Sequence, residues 1–127
     1  MSCEQLSEEL EQLRGTYGEV TAEEESSGDC WIRIARYPLP QVWPVESCRV
    51  ALRVSVQYPL AKPDLVYTDP SLGASIGKQL PNIMGIEQLR GEDWAKISWH
   101  WNGPWDPTKR HLSTFVRSLR TYFTQAR

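Results

Sequence analysis

Near the start of the chain, apolar residues recur at helical spacing. The residues concerned are Leu6, Leu10, Leu13 and Tyr17. Because steps of three and four residues return to one face of a helix, they predict a helix over about residues 3–14. Ser2 and Gln5 can form a capping box at its start, and Gly15 is a suitable stop. The opposite, acidic face is predicted to be exposed; it carries Glu4, Glu8, Glu9 and Glu11.

Apolar and polar residues alternate through the middle of the chain, which is typical of strands with one face in water. The predicted strands cover residues 17–25, 30–36, 49–57 and 65–67. In the segment 49–57 the apolar face consists of Val50, Leu52, Val54 and Val56, and the other face of Arg49, Ala51, Arg53, Ser55 and Gln57. The three prolines within residues 37–46 cannot donate to a central ladder, so this segment should be a connection.

At the start of the last third of the chain, apolar residues recur at neither helical nor strand spacing. Residues 71–92 predict a long loop with room for a helical turn, and Trp94–Trp101 is compatible with an extended segment. Asp106 and Pro107 then predict a helix start, as N-cap and first-turn residue. A wide apolar stripe follows at helical spacing: Leu112, Phe115, Val116, Leu119, Tyr122 and Phe123.

The order of elements predicts one α+β domain over residues 1–127. An N-terminal helix, a four-stranded antiparallel meander, a long loop and a C-terminal helix form two layers when the helix packs on one sheet face. Net charge is −2 and the isoelectric point is about 5.7, which argues against nucleic acid as a partner. Charge is unevenly placed: residues 1–29 carry nine carboxylates, and residues 107–127 carry five basic side chains and no acidic one.

Several classes of function find no support in the sequence. No basic-then-apolar leader and no run long enough to cross a membrane occur, so we expect a cytoplasmic protein without a membrane partner. The cysteines, Cys3, Cys30 and Cys48, form no zinc-binding spacing and no disulfide framework, so buried free thiols are expected. We expect neither a cofactor nor a small-molecule substrate.

Short proline motifs in this order resemble the E2 (ubiquitin-conjugating, or UBC) and RWD fold. Tyr58-Pro59 follows the third strand, Pro63 opens the fourth, and Trp31 lies in the second. Pro81-Asn82-Ile83 is similar to the end of the family's His-Pro-Asn motif. Trp105-Asp106-Pro107 is similar to the Trp-x-Pro that opens the helix after the family's active site. The resemblance covers about residues 3–124. It implies a UBC/RWD-like domain without the C-terminal helices of full-length E2 enzymes, like bacterial E2-like proteins.

The resemblance also shows a missing nucleophile. It places the catalytic cysteine eight to ten residues before Trp105, and the window Ala95–Ser98 contains none. Ser98 and His100 would share one face of a strand and are weak candidates for a nucleophile and its base; an engineered Cys-to-Ser change at Ser98 is a further alternative. Asn82 corresponds to a residue that stabilises an oxyanion in such enzymes, although an Asn after Pro is also ordinary turn chemistry.

Two groups of residues are candidates for partner binding. Trp94, Trp99 and Trp105 are expected to fill space beside the last helix; alternatively, Trp99 or Trp101 is an exposed hot spot, or a stacking surface for a sugar or nucleotide. On the sheet, a basic patch with a small-residue centre is predicted, and its alternative is an ordinary solvated face. The patch consists of Arg33, Arg49 and Arg53 around Ala51 and Ser55. The resemblance implies that this open face binds ubiquitin-like proteins.

The leading hypothesis is a non-catalytic E2-like module that binds a ubiquitin-like protein or an E1/E2-type enzyme of a conjugation pathway. The second is an active conjugating enzyme with a substituted or displaced nucleophile. The third is a small adaptor or inhibitor domain unrelated to conjugation.

Overall fold

A computed structural model describes residues 2–61, 63, 65–77, 79–99, 106 and 112–126. Its elements in chain order are α1 (Ser2–Gln5), α2 (Ser7–Tyr17), β1 (Val20–Glu24), β2 (Cys30–Pro38), β3 (Ser47–Val54), β4 (Leu65–Thr68), α3 (Ser71–Ser75), β5 (Ile83–Leu89), β6 (Glu92–Ser98) and α4 (Leu112–Ala126). The α+β class is therefore confirmed. Among these elements no helix is long and apolar enough to cross a membrane.

The sheet has six antiparallel strands rather than four. Their order is β1-β2-β3-β4-β6-β5, so the predicted meander is extended by a hairpin that pairs with β4 through β6. The prediction of a loop over residues 71–92 is wrong for β5, whereas the short helix α3 agrees with the helical turn that it allowed. Arg90 and Gly91 form a two-residue turn with φ values of 53° and 81°, as tight hairpins require. The extended segment predicted from Trp94 is confirmed as far as Ser98.

The N-terminal helix is broken and longer than predicted. Leu6 lies between α1 and α2, and α2 runs past Gly15 to end at Tyr17, where Gly18 adopts a φ of 81°. Glu9 was expected on the exposed face and is buried instead. It accepts a hydrogen bond of 2.6 Å from the Tyr58 hydroxyl, which explains why a carboxylate is found there.

The core lies between the sheet and the two long helices. The leucines predicted on α2 and the whole apolar stripe of α4 are buried against the inner residues of β2 and β3. Val56 was predicted to face this core, but it is 49% exposed because β3 already ends at Val54. Tyr58-Pro59 follows β3, as predicted, and lies in the turn after it; the peptide bond is cis.

Aromatic side chains fix α4 by hydrogen bonds to its backbone. The Tyr37 hydroxyl donates to the Val116 carbonyl at 2.7 Å, and the Trp43 Nε1–H donates to the Phe123 carbonyl at 2.8 Å. Tyr37 and Trp43 are buried, so these bonds satisfy polar atoms that would otherwise destabilise the core. They also set the position of the helix along its axis.

The cysteines differ from the sequence expectation. Cys3 and Cys30 form a disulfide that ties α1 to β2, so the prediction of free thiols is wrong for this pair. The two residues are 27 positions apart, and their proximity depends on how α1 lies against β2. Cys48 is free and buried, as expected.

Candidate functional site

The outer face of the sheet, opposite the helices, contains a second small core. Trp31, Ala51, Tyr67 and Trp94 are buried there, on four different strands. The Trp31 ring lies 5.1 Å from that of Tyr67 and 5.7 Å from that of Trp94, measured between centroids. Trp94 therefore packs on the face opposite α4 and does not fill space beside it. We call these four residues the outer-face cluster.

The three predicted arginines lie on this cluster and are all ion-paired. Arg33 donates two hydrogen bonds of 2.9 Å to Glu92, Arg49 donates one of 3.1 Å to Asp69, and Arg53 donates two, of 2.5 and 3.1 Å, to Glu25.

The guanidinium groups also stack on the aromatic rings. Arg49 lies 4.9 Å from the Trp94 ring centroid and Arg53 lies 5.4 Å from that of Trp31. The face is thus not an open basic patch, because carboxylates neutralise it and indoles fill its centre. Partner binding by these arginines stays a prediction.

The β5–β6 hairpin closes part of this face. Arg90, in the turn, pairs with Glu23 of β1 and lies 3.6 Å from the carboxylate of Glu25, although β1 and β5 are the two edges of the sheet. The Arg90 guanidinium also lies 6.0 Å from the Trp31 ring centroid, so the turn reaches over the outer-face cluster. The hydrogen bond from Arg33 lowers the pKa of Glu92, so this pair stays charged in mildly acidic solution.

The window where the resemblance places a nucleophile is an inner strand. Ala95 and Ile97 are buried, Ser98 is half-buried, and β6 is paired on both sides, with β4 and β5. The Ser98 amide donates to the Asn82 carbonyl at 3.2 Å, so two of the candidate residues are adjacent. His100 lies outside the described residues.

The turn that carries Asn82 is held in place from α4. The Tyr122 hydroxyl donates to the Pro81 carbonyl at 2.7 Å. Asn82 is exposed and has a φ of 59°, a left-handed conformation that Asn tolerates better than most residues. This backbone agrees with the turn interpretation of Asn82, and the geometry leaves an oxyanion role untested.

Trp99 belongs to the packing around α4. It is buried, its Nε1–H donates to the Ser118 hydroxyl at 3.0 Å, and its ring lies edge-on to Tyr122 at 5.8 Å. This arrangement favours the space-filling interpretation over an exposed hot spot. Trp101 and Trp105 lie outside the described residues.

The exposed face of α4 is basic and was not singled out from the sequence as a site. Of the lysines and arginines that the structure describes, Arg117 and Arg120 are the two without a carboxylate partner. They border a depression of about 600 Å³ along the helix, whose remaining lining is Thr114, Ser118, Thr121, Thr124 and Gln125. The run of basic residues after position 107 was the sequence signal for this surface.

A smaller, apolar cleft of about 330 Å³ separates α3 from β5. Its lining includes Pro70, Gly73, Ala74, Leu80, Ile83 and Ile86. Met84 and Ile86 are 59% and 58% exposed, which is unusual for large apolar side chains in a strand. Across the described part of the chain no cluster of three or more His, Cys, Asp or Glu side chains could hold a metal ion.

The motifs and the α+β architecture together point to an E2-like protein of the ubiquitin-conjugation class. Residues 7–126 match the family described as prokaryotic E2 family E, and the chain belongs to that family. No curated protein and no solved structure gives a significant match. Membership suggests involvement in a ubiquitin-like conjugation system and interaction with its proteins.

Proposed function

We propose that this chain is a non-catalytic E2-like module, which binds a ubiquitin-like protein or an E1/E2-type enzyme in a bacterial conjugation pathway. The observation that carries the proposal is the state of its thiols. All three cysteines are described, and each is either in a disulfide or buried in the core.

Thioester transfer requires an accessible thiolate. Burial raises the pKa of the Cys48 thiol to about 12, so at neutral pH this group is protonated as well as inaccessible. Cys30 is fully buried and bonded to Cys3. A catalytic cycle through any of these sulfurs would need the disulfide or the core to open at each turnover, which argues for a role in binding.

The exposed face of α4 is the surface best suited to a charged partner. Arg117 and Arg120 are one turn apart on the same helix and project beside hydroxyl and amide side chains. Arginines without a carboxylate partner are available for an acidic surface, whereas those of the outer face are already paired. The partner-binding surface of the proposal is therefore α4 and not the sheet.

The test is affinity capture from a bacterial lysate with the purified wild-type chain and with Arg117→Glu/Arg120→Glu, read by mass spectrometry. The matched control is Arg36→Glu, because Arg36 is 71% exposed and its only described carboxylate partner, Glu19, is 4.0 Å away. Capture of a ubiquitin-like or E1-like protein by wild type and the control, but not by the double variant, supports the proposal. Equal capture by all three removes α4 as the binding surface. Capture of no conjugation protein by any of them counts against the binding role.

One contact favours a second candidate, an enzyme with a substituted nucleophile. It is the hydrogen bond that places Ser98 beside Asn82. A hydroxyl nucleophile needs an activating base, and an ester with a ubiquitin-like protein would increase the intact mass of the chain. Incubation with ATP, the captured E1-like enzyme and the ubiquitin-like protein therefore separates the two candidates. An adduct on wild type that is absent from Ser98→Ala supports the enzyme, and no adduct on either supports the binding module.

A further inference from the structure

The two edges of the sheet differ in how well they are protected from pairing with another strand. β1 carries two glutamates among its five residues: Glu23, which is paired with Arg90, and Glu24, which has no cationic partner among the described residues. β5 carries a single charge, on Glu87, and Lys96 neutralises it at 3.4 Å. Proteins commonly block sheet edges with charges, and an edge without them is open to strand addition. We propose that β5 is the edge through which two copies of this chain pair, so that their sheets become one.

The β5 backbone presents unused hydrogen-bonding groups at this edge. In a hairpin with a two-residue turn, the residues that flank the turn form a hydrogen-bonded pair; here they are Leu89 and Glu92. Along the strands from there, non-hydrogen-bonded and hydrogen-bonded pairs alternate. Ile86 and Ala95 consequently form a non-hydrogen-bonded pair. The N–H and C=O of Ile86 therefore point away from β6, toward the open edge. No other strand among the described residues pairs with β5 there.

A two-fold axis at Ile86 gives a register that satisfies both backbone and side chains. Ile86 of each copy would exchange two N–H···O bonds with Ile86 of the other, as an antiparallel hydrogen-bonded pair does. Residues directly opposite each other share a face, so the two Ile86 side chains would meet beside the apolar cleft between α3 and β5.

Electrostatic repulsion favours the register with the two-fold axis at Ile86 over the register with the axis at Glu87. With the axis at Ile86, Glu87 lies opposite Gly85 of the second copy, and no like charges face each other. With the axis at Glu87, two carboxylates would be directly opposed, which is destabilising. The interface is isologous, so it closes at a dimer and does not propagate into a fibre.

The first experiment measures mass by sedimentation equilibrium over a concentration series. We expect the wild-type chain to move toward twice its monomer mass of 14.6 kDa as concentration rises, and Ile86→Lys to remain a monomer. The matched control is Leu60→Lys, which places the same charge at another exposed apolar residue, in the turn after β3 and outside β5. Monomeric wild type up to about 1 mM overturns the proposal. Dimerisation that survives Ile86→Lys also overturns it.

The second experiment tests the register and does not depend on how a charged variant folds. In the proposed pairing, the Cβ atoms of two Ile86 residues are about 5 Å apart. Two Gln88 residues are four positions out of register, about 14 Å apart. A short thiol-reactive cross-linker should therefore join Ile86→Cys chains into a covalent dimer and leave Gln88→Cys chains largely monomeric. Equal or reversed yields contradict this register.

Discussion

The guanidinium of Arg33 and the carboxylate of Glu92 are joined by two hydrogen bonds of 2.9 Å, although 59 residues separate them in sequence. Arg33 lies on β2 and Glu92 at the start of β6, with β3 and β4 between these strands in the sheet. The pair therefore holds the β5–β6 hairpin over the outer-face cluster. Its two-point geometry is the arrangement in which arginine binds a carboxylate most strongly.

Removing either partner should loosen this hairpin. We expect Arg33→Leu and Glu92→Gln each to lower the free energy of unfolding by about 1–2 kcal/mol, and a double-mutant cycle to give a coupling of about 1 kcal/mol. Urea denaturation measures these values. The control cycle uses Arg36 and Glu19, which are 71% and 61% exposed and should show coupling near zero. Equal coupling in the two cycles would mean that the Arg33–Glu92 pair has no special role.

The same pair predicts a pH dependence of stability. The hydrogen bond from Arg33 lowers the pKa of Glu92 below its usual value of 4.5 in the folded state. Glu92 thus stabilises the fold above pH 4.5, and this contribution is lost as the pH falls from there through the lowered pKa. The stability difference between wild type and Glu92→Gln should shrink between pH 7 and about pH 3. A difference that is constant over this range contradicts the lowered pKa.

Much of the fold could be predicted because its patterns are local. The apolar stripe of α4 and the alternation in β2 and β3 report which side chains meet the core, and these predictions are confirmed. β5 was missed because it is an edge strand with a bulge near Met84. Buried and exposed residues therefore do not alternate regularly along it, and the sequence shows no strand pattern there. Arg90-Gly91 is also a less recognisable turn than Asn-Gly or Asp-Gly.

The site was harder to predict because it depends on distant contacts. Alternation assigned Arg33, Arg49 and Arg53 to the outer face correctly. Whether that face was open depended on Trp94 and Glu92, which reach it only once the hairpin has paired with β4. The Cys3–Cys30 bond likewise depends on the docking of α1, which no spacing rule reveals.

The Cys48 thiol should be inert in the folded protein. It is buried beside Thr68, and desolvation raises its pKa to about 12. We expect iodoacetamide at pH 8 to leave the folded, non-reduced chain unmodified and to alkylate one thiol after unfolding in urea. Peptide mapping identifies the modified residue, and Cys48→Ala serves as the blank. Rapid alkylation of the folded chain at Cys48 would contradict the burial and would weaken the argument against thiol catalysis.

The Cys3–Cys30 disulfide should account for a measurable part of the stability. A cross-link that closes a loop of this length restricts the unfolded chain and contributes about 3.5 kcal/mol. Replacing both cysteines by serine should therefore lower the free energy of unfolding by about that amount. Reductant should destabilise wild type and Cys48→Ala alike, and should leave the Cys3→Ser/Cys30→Ser variant unchanged. The intact mass of the untreated chain provides an independent check, because the disulfide removes two hydrogens. A fully reduced mass for protein purified without reductant would show that the two sulfurs stay unbonded, and Cys3 would then become an additional thiol for the adduct search.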